Sequence, residues 1–327
     1  HIMDQQAICK LLQPFTGKVE FLEVVDAGLF NHVFQGRNEE GGFYFKRFGA
    51  ASRSGLFPPL PTTPGERFLV AWRCHEHAYR CAGEGGSDIA IPEIIGKDDE
   101  RHFIVMKAVE GEWLHARLHA AGCDEVRLLD VVCRACAWLG ALHAKLPDDS
   151  ESIREASAAF KRYKVKLQYQ DILEWFPAEA RDCAAGFIED YIHCAAMLVH
   201  GDLNSRNILV DGDRISIIDF EQGHIGDGVY DVAYIVSELV LKWMTLDRHP
   251  DEMIGRIWRH YRKALERKAP GFGPDDGQET RFLKHLVFQV VYRMVGPSRA
   301  VWSGNMDEAA RQKAFAWARQ MFMHVFR

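Results

Sequence analysis

The sequence predicts an α+β fold in two parts, a β-rich N-terminal part with one helix and a larger, mostly helical C-terminal part. Three observations predict it. Between residues 19 and 107, short runs alternate apolar with polar side chains at the period of two that a half-buried strand needs. From residue 124 onward, apolar residues recur instead at steps of three and four, which line one face of a helix. One strand-turn-strand pattern, residues 208–218, interrupts that helical half.

Taken in order, residues 1–3 look like a cloning remnant ahead of a start at Met3, and residues 4–13 read as a short helix closed by Pro14. Strands follow at 19–25 and 32–37, with Gly28 in the turn between them. The cluster Asn38-Glu39-Glu40-Gly41-Gly42 turns the chain into a third strand, 43–48, which carries Lys46. Four of the twelve prolines fall in 49–65, so this stretch reads as a loop, and a helix over about 66–82 carries Glu76 near its middle. Because the loop joins the lysine strand to that helix, it is expected to act as a lid. Strands at 93–95 and 102–107 complete the β-rich part, which ends at residue 109, and the helical part runs from 110 to 327. Helices are predicted over 124–146, 151–175, 178–196, 229–246, 251–268, 279–295 and 306–326. The strands 208–210 and 215–218 are joined by Asp211-Gly212-Asp213, a strong hairpin signal.

Composition narrows the class. At 327 residues the chain is long enough to bury a core without disulfides or structural metal. A net charge of -6 gives no field that would draw it onto nucleic acid or an anionic membrane, and a cationic substrate would be tolerated. The longest apolar stretch, 229–244, contains Asp231, Glu238 and Lys242, and so falls short of the roughly 20 apolar residues of a membrane span. Eight cysteines are scattered without the dense spacing of a disulfide scaffold, from which a cytoplasmic location is expected.

The chemistry lies in His200-Gly201-Asp202-Leu203-Asn204-Ser205-Arg206-Asn207 and, after the hairpin, Asp219-Phe220-Glu221. Phosphoryl transfer needs a carboxylate to orient the attacking hydroxyl, and oxygen ligands to hold Mg²⁺ on a triphosphate. Asp202 meets the first need; Asn207 and Asp219 meet the second, in keeping with a hard cation that uses few protein ligands. Singly, each would read as a turn residue or a helix cap. Together, on a loop and a hairpin flanked by apolar strands, they converge on one edge of the helical part.

At these motifs the chain resembles the aminoglycoside phosphotransferase and choline kinase group, small-molecule kinases of the protein-kinase-like fold. HGDLNSRNILV and IIDFEQGHIGDGVYDVAY carry the resemblance most strongly, with support from Ala27 to Asn31, Lys46, Met106 to Gly111 and Leu139 to Ala144. It implies a bilobal fold and transfer from ATP, or GTP, with Mg²⁺ to a small-molecule hydroxyl. It also implies Asp202 as catalytic base and Asn207 and Asp219 as metal ligands. Gly28 and Asn31 would form the phosphate loop, Lys46 would contact the phosphates and pair with Glu76 or, as runner-up, Glu66, and Met106, Lys107 and Val109 would border the adenine. His200 and Asp231 would brace the site. The phosphate loop departs from the three-glycine pattern of protein kinases, keeping only Gly28, and no Ala-Pro-Glu sequence follows Asp219. Both departures speak against a protein kinase. A non-catalytic nucleotide-binding module is the third reading, and the presence of the base and both metal ligands argues against it. Amino-sugar antibiotics lead among acceptors, ahead of 5-methylthioribose, choline, homoserine and lipopolysaccharide sugars.

Two other constellations read as incidental. His115, His119 and Cys123 could share a helix face but lack a fourth zinc ligand, and Cys133 and Cys136 lie within a helical pattern as core thiols. The acidic residues Glu221, Asp275, Asp276 and Glu279 could attract a cationic acceptor, though a solvated face explains them equally well.

Overall fold

Phe43 and Phe45 on one strand, Phe103 and Val105 on another, and Phe34 on a third alternate with residues of the opposite face, so one side of a sheet becomes apolar and must be covered. In the computed structural model, which describes residues 5–25, 31–49, 55–84, 88–271 and 277–327, helix α1 (Gln5–Thr16) covers it with Ile8 and Leu12. The sheet comprises β1 (Phe21–Val25), β2 (His32–Asn38), β3 (Gly41–Arg47), β5 (Ile94–Asp98) and β6 (Phe103–Lys107), in the antiparallel order β1-β2-β3-β6-β5. Between β3 and β5 come α2 (Pro64–Glu84) and the two-residue β4 (Ile89–Ala90). On the other face of the sheet, Phe48 and Ile104 pack against Phe68 and Ala71 of α2. Register places Lys46 opposite Ile104, on this α2 side, while Phe45 turns to the α1 side. The strand pattern therefore fixes which way Lys46 faces.

Pro14 does not close α1, which runs to Thr16. A proline this near the end removes only a terminal hydrogen bond. The last carbonyls find other partners, Thr16 Oγ1 donating to Leu12 O (3.2 Å) and Asn38 Nδ2 to Thr16 O (2.6 Å).

The C-terminal lobe begins with β7 (Glu112–Trp113) and α3 (Leu114–His119), then α4 (Glu125–His143) and α5 (Ser150–Gln168). Two 3₁₀ turns lead to α6 (Arg181–His193) and β8 (Met197–Val199). The predicted hairpin is β9 (Ile208–Asp211) and β10 (Arg214–Ile217), followed by β11 (His224–Gly226). Helices α7 (Val229–Thr245), α8 (Asp251–Lys268), α9 (Gln278–Val295), α10 (Arg299–Ser303) and α11 (Glu308–Val325) complete the chain. The short strands form a sheet β4-β10-β9-β7 and a pair β8-β11. Helix α7 is buried along almost its whole length, and α4 meets α8 closely enough that a Cβ on Gly140 would lie 2.7 Å from Tyr261 O. The elements absent from the sequence reading, α3, α10, β4, β7, β8 and β11, span two to six residues. No periodicity can be read over so few.

Several histidines are held as neutral rings, His75, His224 and His285 buried and His115 half-buried. Burial pushes His75, His115 and His285 down to about 4 and His224 to about 3. Unfolded histidine takes up its proton near 6.5, so the unfolded chain binds more protons below that pH. The stability these rings contribute is complete above about pH 6.5 and is lost as pH falls toward 3 to 4, whereas Glu221, raised to about 7, acts in the opposite sense. Replacing His224 with Gln should make the loss of stability between pH 6.5 and 4.5 shallower, as read by urea unfolding. An unchanged slope would contradict neutral burial of His224.

Candidate active site

The loop from β8 to β9 is built around one buried carboxylate. Asp231, in the first turn of α7, accepts the backbone N–H of His200 (2.7 Å) and of Gly201 (2.9 Å), and hydrogen-bonds His143 Nε2 (3.0 Å). Burial would raise this carboxyl, but the bonds from His143 and the loop outweigh it and hold it below its ordinary value. Gly201 has φ 84°, and a Cβ there would lie 1.9 Å from Gln222 O, so the loop requires glycine. His200 is buried too: its Nε2 meets Ile218 O (3.1 Å), and Asp202 N donates to its Nδ1 (3.2 Å). Both ring nitrogens are engaged in holding the loop.

Asp202 emerges from this frame into a cavity. Tyr234 Oη, one turn beyond Asp231 on α7, donates to Asp202 Oδ1 (3.0 Å), and Asn207 Nδ2 donates to Oδ2 (3.1 Å) and to the Asp202 carbonyl (2.8 Å). Burial, with Asp219 nearby, raises the Asp202 carboxyl, and Lys164 counters it. Because the Asn207 amide nitrogen is spent on Asp202, its Oδ1 is the atom left for a ligand. Ile218 N donates to Asn207 O (3.0 Å), which is how the hairpin returns Asp219 to the side of Asn207.

Asp219 has φ 66°, a left-handed conformation that aspartate tolerates better than most residues. Lys46 Nζ reaches across from β3 to lie 2.7 Å from Asp219 Oδ1 and 2.7 Å from Glu221 Oε2. Burial alone would raise Asp219, yet the Lys46 ammonium prevails and lowers it. Burial and the neighbouring Asp219 raise Glu221 to about 7. Lys46 itself would be lowered by burial, but the two carboxylates raise it. Asn31, buried on β2's leading edge, donates from Nδ2 to the same Glu221 oxygen. Carboxylate and amide oxygens are the donor set of a hard cation, so Asp219 and Asn207 fit Mg²⁺, and Lys46 supplies a positive charge between Asp219 and Glu221.

The predicted partner of Lys46 is corrected by this geometry. Glu76 is 41% exposed and faces Arg80 (3.9 Å), and Glu66 caps the start of α2, accepting from Thr63 N (2.7 Å). The site-facing residue of α2 is His75, whose Nε2 meets Pro92 O (2.6 Å) and whose ring lies 5.1 Å from Phe220. One residue further turns the helix by about 100°, and that step carries Glu76 off this face. Glu76→Gln should therefore shift stability by no more than about 0.5 kcal/mol and leave nucleotide affinity unchanged. A clear loss of affinity would restore Glu76 to the site.

A cavity of about 310 Å³ between the lobes brings together Lys46, Asp202, Asn207 and Asp219 with Met106, Lys107 and Val109. Lys107 N donates to Glu93 O (2.9 Å), and its ammonium pairs with the Glu93 carboxylate (2.5 Å). Gly28 lies outside the described residues, as do Asp275 and Asp276. The proline-rich loop contributes Leu56 and Phe57 to the cavity wall, and Tyr163 Oη donates to Pro58 O (2.8 Å). Helix α5, within a stretch whose role the sequence did not disclose, contributes Lys164, whose ammonium bonds Gly201 O and Gln222 Oε1 (2.5 Å). Its burial pushes it down to about 8.

Sequence reasoning missed Tyr234, Lys164 and the pairing of Glu221 with Lys46. A signal existed for Tyr234, three residues after Asp231 and so on the same side of α7. None existed for Lys164, since a lone helix lysine reads as solvated. The incidental clusters stay incidental. The rings of His115 and His119 lie 4.3 Å apart and His115 Nδ1 bonds Ser205 Oγ (2.9 Å), but among the described residues no three His, Cys, Asp or Glu side chains are grouped to hold a metal. Cys133 and Cys136 are buried thiols. No helix among the described residues is long and apolar enough to cross a membrane.

Comparison with known proteins gives the family and the fold. Residues 76–271 match the model of the phosphotransferase enzyme family, well over half of the chain. No match was found among curated protein sequences. Among solved structures, the chain is similar to a choline kinase from Cryptosporidium parvum Iowa II, with 15% identity over 98% of this chain and 96% of that one, at a TM-score of 0.57. It is also similar to an amicoumacin kinase solved with AMP-PNP, Ca²⁺ and Ami, with 13% identity over 98% and 94% of the two chains and a TM-score of 0.55. A third is the streptomycin-ATP-APH(2")-IIa ternary complex, at 17% identity over 98% and 99% and a TM-score of 0.50. At these identities the likeness is one of fold.

Proposed function

We propose that this chain, which belongs to the phosphotransferase enzyme family, is a kinase that moves the γ-phosphoryl group of ATP, with Mg²⁺, to a hydroxyl of a small-molecule acceptor. The observation that carries the reading is the convergence of Asp202, Asn207, Asp219 and Lys46 in one interlobe cavity. In this reading Asp202 orients the acceptor hydroxyl and takes its proton as the new bond to phosphorus forms. Tyr234 and Asn207 fix both carboxylate oxygens, so the base needs no rearrangement to meet the hydroxyl. Asn207 Oδ1 and Asp219 would hold Mg²⁺, which, when bound, offsets charge on the phosphates. Lys46, whose ammonium stays charged between two carboxylates, contacts the α- and β-phosphates from the N-terminal lobe. Met106, Lys107 and Val109 border the adenine, and Asn31 and Gly28 belong to the phosphate loop.

The two lobes contribute complementary groups, the lysine from a sheet and the base and ligands from a loop and hairpin. A protein carrying only the nucleotide site would not need Tyr234 holding Asp202. Transfer is tested by following ADP release with Mg-ATP across a panel of hydroxyl acceptors, amino sugars included. Release should depend on the acceptor, and chelation by EDTA should abolish it. A flat response across the panel, together with tight ATP binding, would instead make the chain a nucleotide-binding module.

Leu56 and Phe57 in the cavity wall support the proline-rich loop as a lid. Shortening it around Pro58 should raise KM for nucleotide or acceptor several-fold with a smaller change in kcat, because the loop walls the cavity and is tied to Tyr163. Unchanged kinetics would remove it from the mechanism.

A further inference from the structure

The charge and shape of the acceptor side of the cavity carry an inference about what binds there; it rests on the kinase reading and narrows it. Among the described residues that line the cavity, the carboxylates are Asp202, Asp219 and Glu221. All three are engaged, Asp202 with Tyr234 and Asn207, and the other two with Lys46. Beyond these three, which the transfer site itself uses, no carboxylate among the described lining residues is there to meet a substrate ammonium. A polycationic amino sugar entering this wall would lose hydration at each ammonium without a carboxylate to replace it.

The cations are distributed differently. Lys164 commits two of its three donors, to Gly201 O and Gln222 Oε1, and its ammonium lies 5.0 Å from the Tyr234 ring. Arg206, on the Asp202 loop and half-buried, lines the cavity, and its guanidinium forms no ion pair with any described residue. Trp302, Val301 and Ser298 line the same cavity as Arg206. A half-buried guanidinium with five donors and no carboxylate is matched to a planar anion.

Part of the remaining wall is aromatic. Phe160 and Tyr163 stack at 5.6 Å, and Tyr292, Val301 and Trp302 line the cavity with them. Trp302 is held rigidly: the buried Arg293 guanidinium lies 4.3 Å over its ring and 4.6 Å over that of Tyr234, while Trp302 Nε1 donates to Ser298 Oγ (2.9 Å). Rigid aromatic faces of this kind bind flat apolar bodies at small entropic cost.

We propose that the acceptor is a hydroxyl compound with a flat apolar or aromatic body and an anionic group, the anion meeting Arg206. The test titrates the full chain with three aryl β-glucosides that share hydroxyls and ring but differ at the para position: carboxylate, hydrogen and aminomethyl. The carboxylate probe should bind about tenfold more tightly than the aminomethyl probe. Arg206→Glu should reverse that order, and Arg206→Gln should level it, with ATP titrated in parallel as a check that each variant is folded. No difference among the three probes, whether all bind or none does, overturns the proposal. So does a loss of ATP affinity in both variants with the probe order intact, which would give Arg206 to the nucleotide. The titration reads binding and not turnover. A chain that ranks the probes as expected, yet phosphorylates no acceptor, keeps the charge preference and removes the kinase reading.

Discussion

Asp202→Asn is expected to reduce phosphoryl transfer by about 10³-fold, the usual scale for loss of a positioned base, while nucleotide affinity stays within a few-fold of wild type. The separation follows from where Asp202 sits. Its oxygens face Tyr234 and Asn207, whereas Lys46 holds Asp219 and Glu221. An asparagine keeps the shape and one acceptor oxygen, but its amide is far too weak a base to take the hydroxyl proton. The fold should tolerate it, because burial already disfavours the charge on Asp202 and the nearby Asp219 repels it. The measurement pairs kcat/KM for acceptor with an ATP titration of the same variant. If affinity for Mg-ATP fell in proportion to turnover, Asp202 would be a nucleotide or metal ligand and the roles assigned to the loop would have to be redistributed.

Asp231→Ala carries the largest expected effect on stability. It removes the acceptor of two backbone N–H groups and the partner of His143, all in the interior. Leaving a buried donor without its acceptor costs about 1–3 kcal/mol, and three are stranded here, so a loss of several kcal/mol is expected. The same deletion frees the loop that aims Asp202, so activity should fall even in the fraction that folds. Urea unfolding gives the first quantity, and turnover per folded molecule the second. Asp231→Asn, which keeps one acceptor oxygen, should lose less of both. A variant with wild-type stability would mean that the loop is held elsewhere, by His200 and Gly201 packing against Gln222 rather than by Asp231.

How much of this was legible in the sequence differs by element. The sheet of the N-terminal lobe could be read because Phe43 and Phe45, Phe103 and Val105 repeat at the strand period, and the same pattern gave Lys46 its side. The long helices could be read for the same reason, and Pro14 misled only because its cost depends on how close to the helix end it falls. The convergence of Asp202, Asn207 and Asp219 was legible because they are close in sequence, joined by a hairpin whose turn is marked by Asp211-Gly212-Asp213. Contacts between distant elements were not. Lys46 and Glu221 are 175 positions apart, and nothing in either neighbourhood names the other. Glu76 was the reasonable choice from helix position alone, but a helix rotates its face with each residue, so being on α2 did not decide it. Lys164 and Arg206 look like surface cations in a linear sequence; only the packed lobes bring them to the wall of one cavity.

The central claim, direct transfer of a phosphoryl group to a hydroxyl, is tested most directly with ATP labelled with oxygen-18 in its γ-phosphoryl group. The label is followed by mass spectrometry in an acceptor that supports ADP release. Direct in-line transfer predicts an acceptor phosphate that retains the labelled γ-oxygens, formed by wild type and absent with Asp202→Asn. Label appearing only in inorganic phosphate, with the acceptor unmodified, would contradict the account, because water rather than a bound hydroxyl would then be the nucleophile.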